Sequence, residues 1–248
     1  GLYVNFMWPL IELIEEDTAK KSGKIIAVSR ETAKTLIDKH PECSGRIEVI
    51  YNAVPREWFQ IGRRERGNVL LFVGRLSEVK GVEYLVEAMV TVKRDFPDVR
   101  LLLVGDGELK GRLQRKVRNL GLRESVTFEG DLDESMLLTL YSMATAFVLP
   151  SLYENCPFSI LQAFASGVPV VATRIGGVSE LIDDAESGLL TPPRDTARLA
   201  SAISRMLADT QLRRKISDKA KEFAYKNLQL KTAIDRLERI YSDLANRS

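Results

Sequence analysis

One histidine, His40, and two cysteines, Cys43 and Cys156, are all the imidazole and thiol that 248 residues offer. A single imidazole excludes a multi-histidine metal centre and a histidine-based triad assembled within this chain. The two cysteines are too few for a disulfide framework and have no metal-ligand spacing, which points to a reducing, cytoplasmic setting. Charge of one sign is scarce as well. Lys+Arg 36 against Asp+Glu 34 leaves a formal net charge of +2, too little for a broad field that would draw nucleic acid. No apolar run reaches the length of a membrane-spanning helix. The most apolar stretch, residues 1–16, is interrupted by Asn5 and Pro9 and lacks a positive start. It is flanked by Glu12, Glu15, Glu16 and Asp17, and reads as a packed helix rather than a signal peptide or an anchor on anionic lipid. Gly1 in place of Met is expected of a fragment or a processed chain. The sequence carries no internal repeat and no low-complexity tract.

What is present is an ordinary globular composition, 45% hydrophobic and 28% charged, in a chain long enough for one domain plus part of another. Apolar runs and helical patterns alternate along it. Strands are expected over 24–28 and 47–50, with Ser29 as the N-cap of a helix over 30–39 and His40 at its C-terminal end. A polar stretch over 56–67, with Gly62, Gly67 and the basic run Arg63-Arg64-Glu65-Arg66, reads as a linker whose charges face solvent. Beyond it come strands over 69–73, 100–104, 126–128, 146–149, 169–172 and 188–190. Helices over 82–94, 108–120, 134–143 and 158–166 separate them, and helices over 194–208, 211–225 and 231–245 follow. Strands alternating with helices of this length argue for an α/β fold with a parallel sheet.

The chemistry is concentrated in residues 146–180. A buried strand ends at Pro150, a loop carries Glu154 and Asn155, and a helix runs from Phe158 to Gly167. A second strand then leads to Gly176-Gly177 and Glu180. In an open parallel sheet the carboxyl ends of the strands face the binding crevice, so these loops share one rim. The free N–H groups at the helix start near Phe158 favour an anionic ligand there. Three more loops reach the same rim: residues 74–81, the glycines of Gly105-Asp106-Gly107, and Glu129-Gly130. Arg75 and Lys80 lie in the first of these, and together they suit a diphosphate, one as a fork and one as a point charge.

Two other readings are weaker. Gly105-Asp106-Gly107 opens like a dinucleotide fingerprint, and Glu129 stands where a ribose-binding acid would, but Lys110 occupies the third glycine position. The 74–81 loop is not a P-loop, because Lys80 precedes Gly81 and neither Ser nor Thr follows. Cys156 lies near the proposed site with no local histidine to activate it.

Four stretches in order carry a resemblance: Phe72-Val73-Gly74-Arg75-Leu76 with Lys80-Gly81; Val104-Gly105-Asp106-Gly107; Pro150-Ser151 through Gly167-Val168-Pro169-Val170-Val171; and Gly176-Gly177 to Glu180. With them the chain resembles a retaining glycosyltransferase of the GT-B fold, family 4 (group 1). The resemblance implies a Rossmann-like parallel sheet with helices on both faces over 68–228, the nucleotide-sugar donor-binding domain. Residues 1–55 would be a remnant of the N-terminal, acceptor-side domain, 56–67 a linker, and 229–248 a helix returning to the N-terminal portion.

The same resemblance implies the site. Arg75 and Lys80 would bind the donor diphosphate and stabilise the leaving group, and Glu154 would touch the donor sugar; these three are the catalytic set. Gly74 and the backbone from Phe128 to Gly130 belong to the donor pocket, with the latter at the nucleobase. Asn155, Cys156 and Pro157 lead to Phe158, Ser159 and Ile160, whose N–H groups would meet phosphate and sugar. Gln162 stands where the family has a second glutamate on the ribose. The lost charge would weaken that contact by roughly 1–2 kcal/mol.

The partners implied are a nucleotide-diphosphate sugar, such as a UDP- or GDP-sugar, and an acceptor that is a saccharide, a lipid-linked sugar or a small molecule. No metal and no nucleic acid are implied. The location implied is cytoplasmic, with peripheral association at the inner membrane face left open, and polysaccharide biosynthesis fits that setting. Most of the acceptor-side domain of the family has no counterpart in this sequence. Two alternatives stay beside transfer: a nucleotide-sugar binding module without activity of its own, and an NAD-dependent oxidoreductase.

Overall fold

Aliphatic runs bounded by glycine and polar loops form the strands, and apolar stripes of helical period form the helices. The computed structural model describes residues 16–64 and 67–246. Residues 16–21 are helical (α1), followed by β1 (Ile25–Ala27), α2 (Arg30–Lys39) and β2 (Ile47–Val49). A longer alternating series comes next: β3 (Val69–Val73), α3 (Val82–Asp95), β4 (Arg100–Val104), α4 (Lys110–Asn119), β5 (Val126–Gly130) and α5 (Glu134–Met143). It continues through β6 (Ala146–Leu149), α6 (Phe158–Ser166), β7 (Val170–Thr173), α7 (Val178–Leu181) and β8 (Leu189–Thr191). Helices α8 (Thr196–Ala208), α9 (Thr210–Asn227) and α10 (Leu230–Ala245) follow. The short α7 after Gly176-Gly177 has no counterpart in the expected pattern, and β5 runs two residues further than expected.

Local chemistry explains several boundaries. The Ser29 hydroxyl accepts from the Thr32 N–H at 3.0 Å and starts α2, as expected. Asp133, Asp195 and Asp209 cap α5, α8 and α9 in the same way. Helix α6 ends at Gly167 in the left-handed conformation.

The chain divides into two compact units. The described residues up to Tyr51, together with those from Lys231 onward, make the smaller one. In it β1 and β2 pair in parallel, and the Arg236 guanidinium of α10 donates to the Glu48 carboxylate at 3.0 Å and the Val49 carbonyl at 2.9 Å.

The larger unit, Asn52–Leu230, is a six-stranded sheet in the order β5-β4-β3-β6-β7-β8, parallel throughout. All four residues of β6 and of β7 are buried, as both faces of a helix-covered parallel sheet require. Helix α3 packs on α8, and α6 packs on α9. From β3 the chain winds outward to β4 and β5, and from β6 it winds the other way to β7 and β8. The direction reverses between β3 and β6, which puts the crevice of a doubly wound sheet at their carboxyl ends.

Two expectations need correction. Of the expected linker 56–67, the described residues 56–64 and 67 fall within the larger unit, and the unit boundary lies between Tyr51 and Asn52. Trp58 lies in a short 3-10 turn, fully buried. Its indole donates to Glu134 at 2.8 Å and meets the Tyr141 ring edge-on at 5.1 Å. Arg63 donates to the Tyr141 carbonyl at 3.0 Å, and the Arg64 N–H donates to the Ser142 carbonyl at 2.8 Å. One aromatic anchor therefore docks a stretch whose polarity suggested a spacer. The expected packed helix over 1–16 lies, except for its last residue, outside the described residues.

Candidate functional site

The site grows from the loops that leave β3, β4 and β6. After β3 the chain turns at Gly74 and passes Arg75. It then forms a short 3-10 turn over Glu78–Lys80 and enters α3 through Gly81 in the left-handed conformation. After β4 it turns at Gly105, with φ of +119°, where a Cβ would stand 2.2 Å from the Gly74 carbonyl oxygen. Only glycine lets these two loops touch. The contact is cemented by the Gly74 N–H to the Val104 carbonyl (3.0 Å) and the Leu76 N–H to the Asp106 carbonyl (2.8 Å).

Between the loops lies a cleft of about 610 Å³, within the size range of small-ligand sites. Gly74 and Arg75 contribute from one loop and Gly105, Asp106 and Gly107 from the other, and Asp131, Leu132 and Leu137 also line it. Arg75 is exposed and makes no ion pair among the described residues. Asp106 is held below the usual carboxylate range, first by the Lys110 ammonium and then by the Gly107 N–H. The lysine that replaces the third glycine of a dinucleotide fingerprint is thus tied into the turn.

Across the β3–β6 junction the Lys80 ammonium meets the Glu154 carboxylate at 2.6 Å, although 73 residues separate them along the chain. Glu154 is 8% exposed, and the same oxygen, Oε1, also accepts from the Ser151 hydroxyl at 2.7 Å. Two backbone bonds pin the loop: Leu152 N–H to Val79 carbonyl (2.7 Å) and Gly177 N–H to Glu154 carbonyl (3.2 Å). The Asn52 amide donates to the Cys156 carbonyl at 2.9 Å. Burial pushes the Cys156 thiol up to about 11, and the nearby Glu180 carboxylate adds to the rise, so the thiol is no nucleophile at neutral pH.

Helix α6 starts at Pro157 with no side-chain cap, and Phe158 at its first turn is exposed. The Ile160 N–H already donates to the Pro157 carbonyl at 3.1 Å, which leaves the Phe158 and Ser159 N–H groups for an anion. Gln162 is half-buried, and its side-chain oxygen accepts from the Tyr141 hydroxyl at 3.4 Å.

The expected residues therefore fall into groups. Gly74 and Arg75 line the cleft, whereas Lys80 and Glu154 pair at the junction of β3 and β6. Residues 155–160 connect that pair to α6. Phe128 and Gly130 lie on β5 and are not among the cleft's lining residues, and the Gly130 carbonyl accepts from the Gly105 N–H at 2.7 Å. Ser151, Asp131, Leu132 and Leu137 were not foreseen. Ser151 beside Pro150 at a strand end was the one legible signal, since that position faces the crevice.

Comparison with known proteins agrees with this fold. The family described as glycosyl transferases group 1 matches residues 54–223. An alpha-D-kanosaminyltransferase of Streptomyces kanamyceticus is 33% identical over 176 residues, 71% of this chain and 46% of that protein. Sucrose-phosphate synthase of Thermosynechococcus elongatus superposes with a TM-score of 0.84 at 26% identity, covering 95% of this chain and 62% of its own. The Anabaena protein HepE, solved with UDP and glucose, gives 0.84 at 23% identity, covering 94% of this chain and 66% of its own. The chain spans about half the length of the kanosaminyltransferase it matches. No helix among the described residues is long and apolar enough to cross a membrane.

Proposed function

The chain belongs to the group 1 glycosyltransferases and carries the parallel sheet of a GT-B enzyme. On that premise we propose that it is the donor-binding part of a retaining transferase that uses a nucleotide-diphosphate sugar. The observation that carries the reading is the Lys80–Glu154 pair at the junction of β3 and β6, with Arg75 on the adjoining cleft. Arg75, Lys80 and the start of α6 all follow the carboxyl ends of β3 and β6, the rim to which this reading assigns the departing diphosphate. Fixed donors at such a place lower the barrier without reorganising. Glu154 holds a hydroxyl of the donor sugar, and the nucleotide occupies the cleft beside Gly74 and Gly105.

In this reading the acceptor attacks from the face the diphosphate leaves. The leaving phosphate helps remove the acceptor's proton, so catalysis is mostly placement and electrostatics. The cations and helix N–H groups offset the diphosphate charge, and we assign no role to a metal. The UDP and glucose bound by HepE favour a UDP-sugar as the first donor to try. The smaller unit is assigned to the acceptor-side domain, with a saccharide, lipid-linked sugar or small molecule as acceptor. A cytoplasmic site, at or near the inner membrane face, belongs to the same reading.

The test is calorimetric titration of UDP, GDP and ADP, with and without their sugars, into this chain and into Arg75→Ala. One diphosphate should bind, and the variant should weaken it roughly ten- to hundredfold, the scale of a charge-assisted phosphate contact. If no nucleotide binds at millimolar concentration, the proposal fails. A transfer assay then separates an active transferase from a module that only binds the donor.

A further inference from the structure

Three observations meet at one carboxylate oxygen. Oε1 of Glu154 accepts from both Lys80 and Ser151, and the residue is 8% exposed. The loop around it is held on both sides by the Leu152 and Gly177 N–H bonds, and the Thr173 hydroxyl donates to the Ser151 carbonyl. The backbone therefore offers little freedom to part the pair, whereas the long Lys80 stem can swing. A nearly buried carboxylate stripped of its cation is costly, because desolvation is no longer offset. A diphosphate that draws Lys80 away leaves Glu154 in that condition unless another donor replaces the ammonium.

Resting on the donor-binding reading, we infer that Lys80 and Glu154 form an exchange pair that makes the site prefer sugar nucleotides to free nucleotide diphosphates. The diphosphate takes Lys80, and a hydroxyl of the donor sugar fills the place it leaves on Glu154. A free diphosphate has no sugar hydroxyl to offer there and binds against the cost of an under-satisfied carboxylate. The ligand class that satisfies both partners is a nucleotide sugar with a hydroxyl donor within reach of Glu154. After transfer the diphosphate has lost that hydroxyl, Glu154 reclaims Lys80, and product release is favoured.

The test titrates the diphosphate that the wild-type chain binds, and its sugar nucleotide, into wild type, Glu154→Gln and Ser151→Ala. Glu154→Gln frees Lys80, so the diphosphate should bind about tenfold more tightly, the scale of one charge-assisted hydrogen bond. The preference for the sugar nucleotide should shrink in the same variant. Ser151→Ala should act with the opposite sign on the diphosphate, because Glu154 then depends more heavily on Lys80. A pair that served only to hold the loops together would weaken both ligands in both variants. Diphosphate affinity unchanged or reduced in Glu154→Gln, in a protein whose melting curve shows it folded, overturns the exchange while leaving the donor reading standing. A wild-type chain that binds neither a diphosphate nor its sugar nucleotide overturns both.

Discussion

Replacing Gly177 with alanine tests the loop geometry where it is tightest. Its φ of −62° suits any residue, so the whole effect is one of space. An added Cβ would lie 1.5 Å from the Asn155 carbonyl oxygen, and ordinary contact begins near 3.4 Å, so that carbonyl must retreat by about 1.9 Å. The retreat breaks the Gly177 N–H bond to the Glu154 carbonyl and carries the Glu154 carboxylate away from Lys80 and Ser151. Overpacking of this kind costs about 1–3 kcal/mol and the lost backbone bond about 1 kcal/mol, together roughly 2–4 kcal/mol. For a domain of this size that corresponds to a fall in Tm of roughly 4–16 °C. Scanning calorimetry reads the stability, and nucleotide titration reads the site, where affinity should fall with it. A variant that melts within about one degree of wild type and binds nucleotide equally well would refute the close approach of these two loops.

Two further substitutions probe the surroundings. Gly111 lies inside α4 with a helical backbone, and an added Cβ would meet only the Arg115 side chain at 3.8 Å. Gly111→Ala should stabilise the protein by about 0.5–1 kcal/mol and raise Tm, and a lower Tm would contradict the helical assignment. Cys156, raised from 9.0 to about 11, and the buried Cys43 should resist thiol reagents at pH 8 until the chain unfolds. Below pH 9 the Cys156 thiol is protonated in both states and adds no pH dependence. As pH rises from 9 towards 11 the unfolded chain releases that proton first, so stability falls. Cys156→Ala should flatten the stability curve in that window, and an equally steep curve would remove the thiol from the account.

Much of the fold was legible because its determinants are local. Strands β3, β4, β6 and β7 are short aliphatic runs with breakers at their ends, Ser29 signals the start of α2, and Gly167 signals the end of α6. Alternation of strands and helices then implies a parallel sheet, and a parallel sheet implies a rim at its carboxyl ends. That chain of inference brought Arg75, Lys80, Glu154 and the start of α6 to one edge without any contact being known. It could not recognise that residues 56–64 pack into the larger unit, because a polar composition hides a single buried Trp58. Nor could it find α7, four residues long and without a periodic stripe.

What the sequence by itself determined was which residue types stand at the strand ends, since hydrophobic period and turn chemistry are written in neighbouring residues. Which of those residues meet was decided only by the tertiary structure. Lys80 and Glu154 are partners because β3 and β6 lie side by side, and strand order depends on packing summed over the whole sheet. Gly105 must be glycine because the Gly74 carbonyl passes 2.2 Å from where its Cβ would stand, and Gly177 because the Asn155 carbonyl passes closer still. Such close approaches join residues 22 or more positions apart along the chain. No local pattern encodes them, because they exist only once both loops are in place.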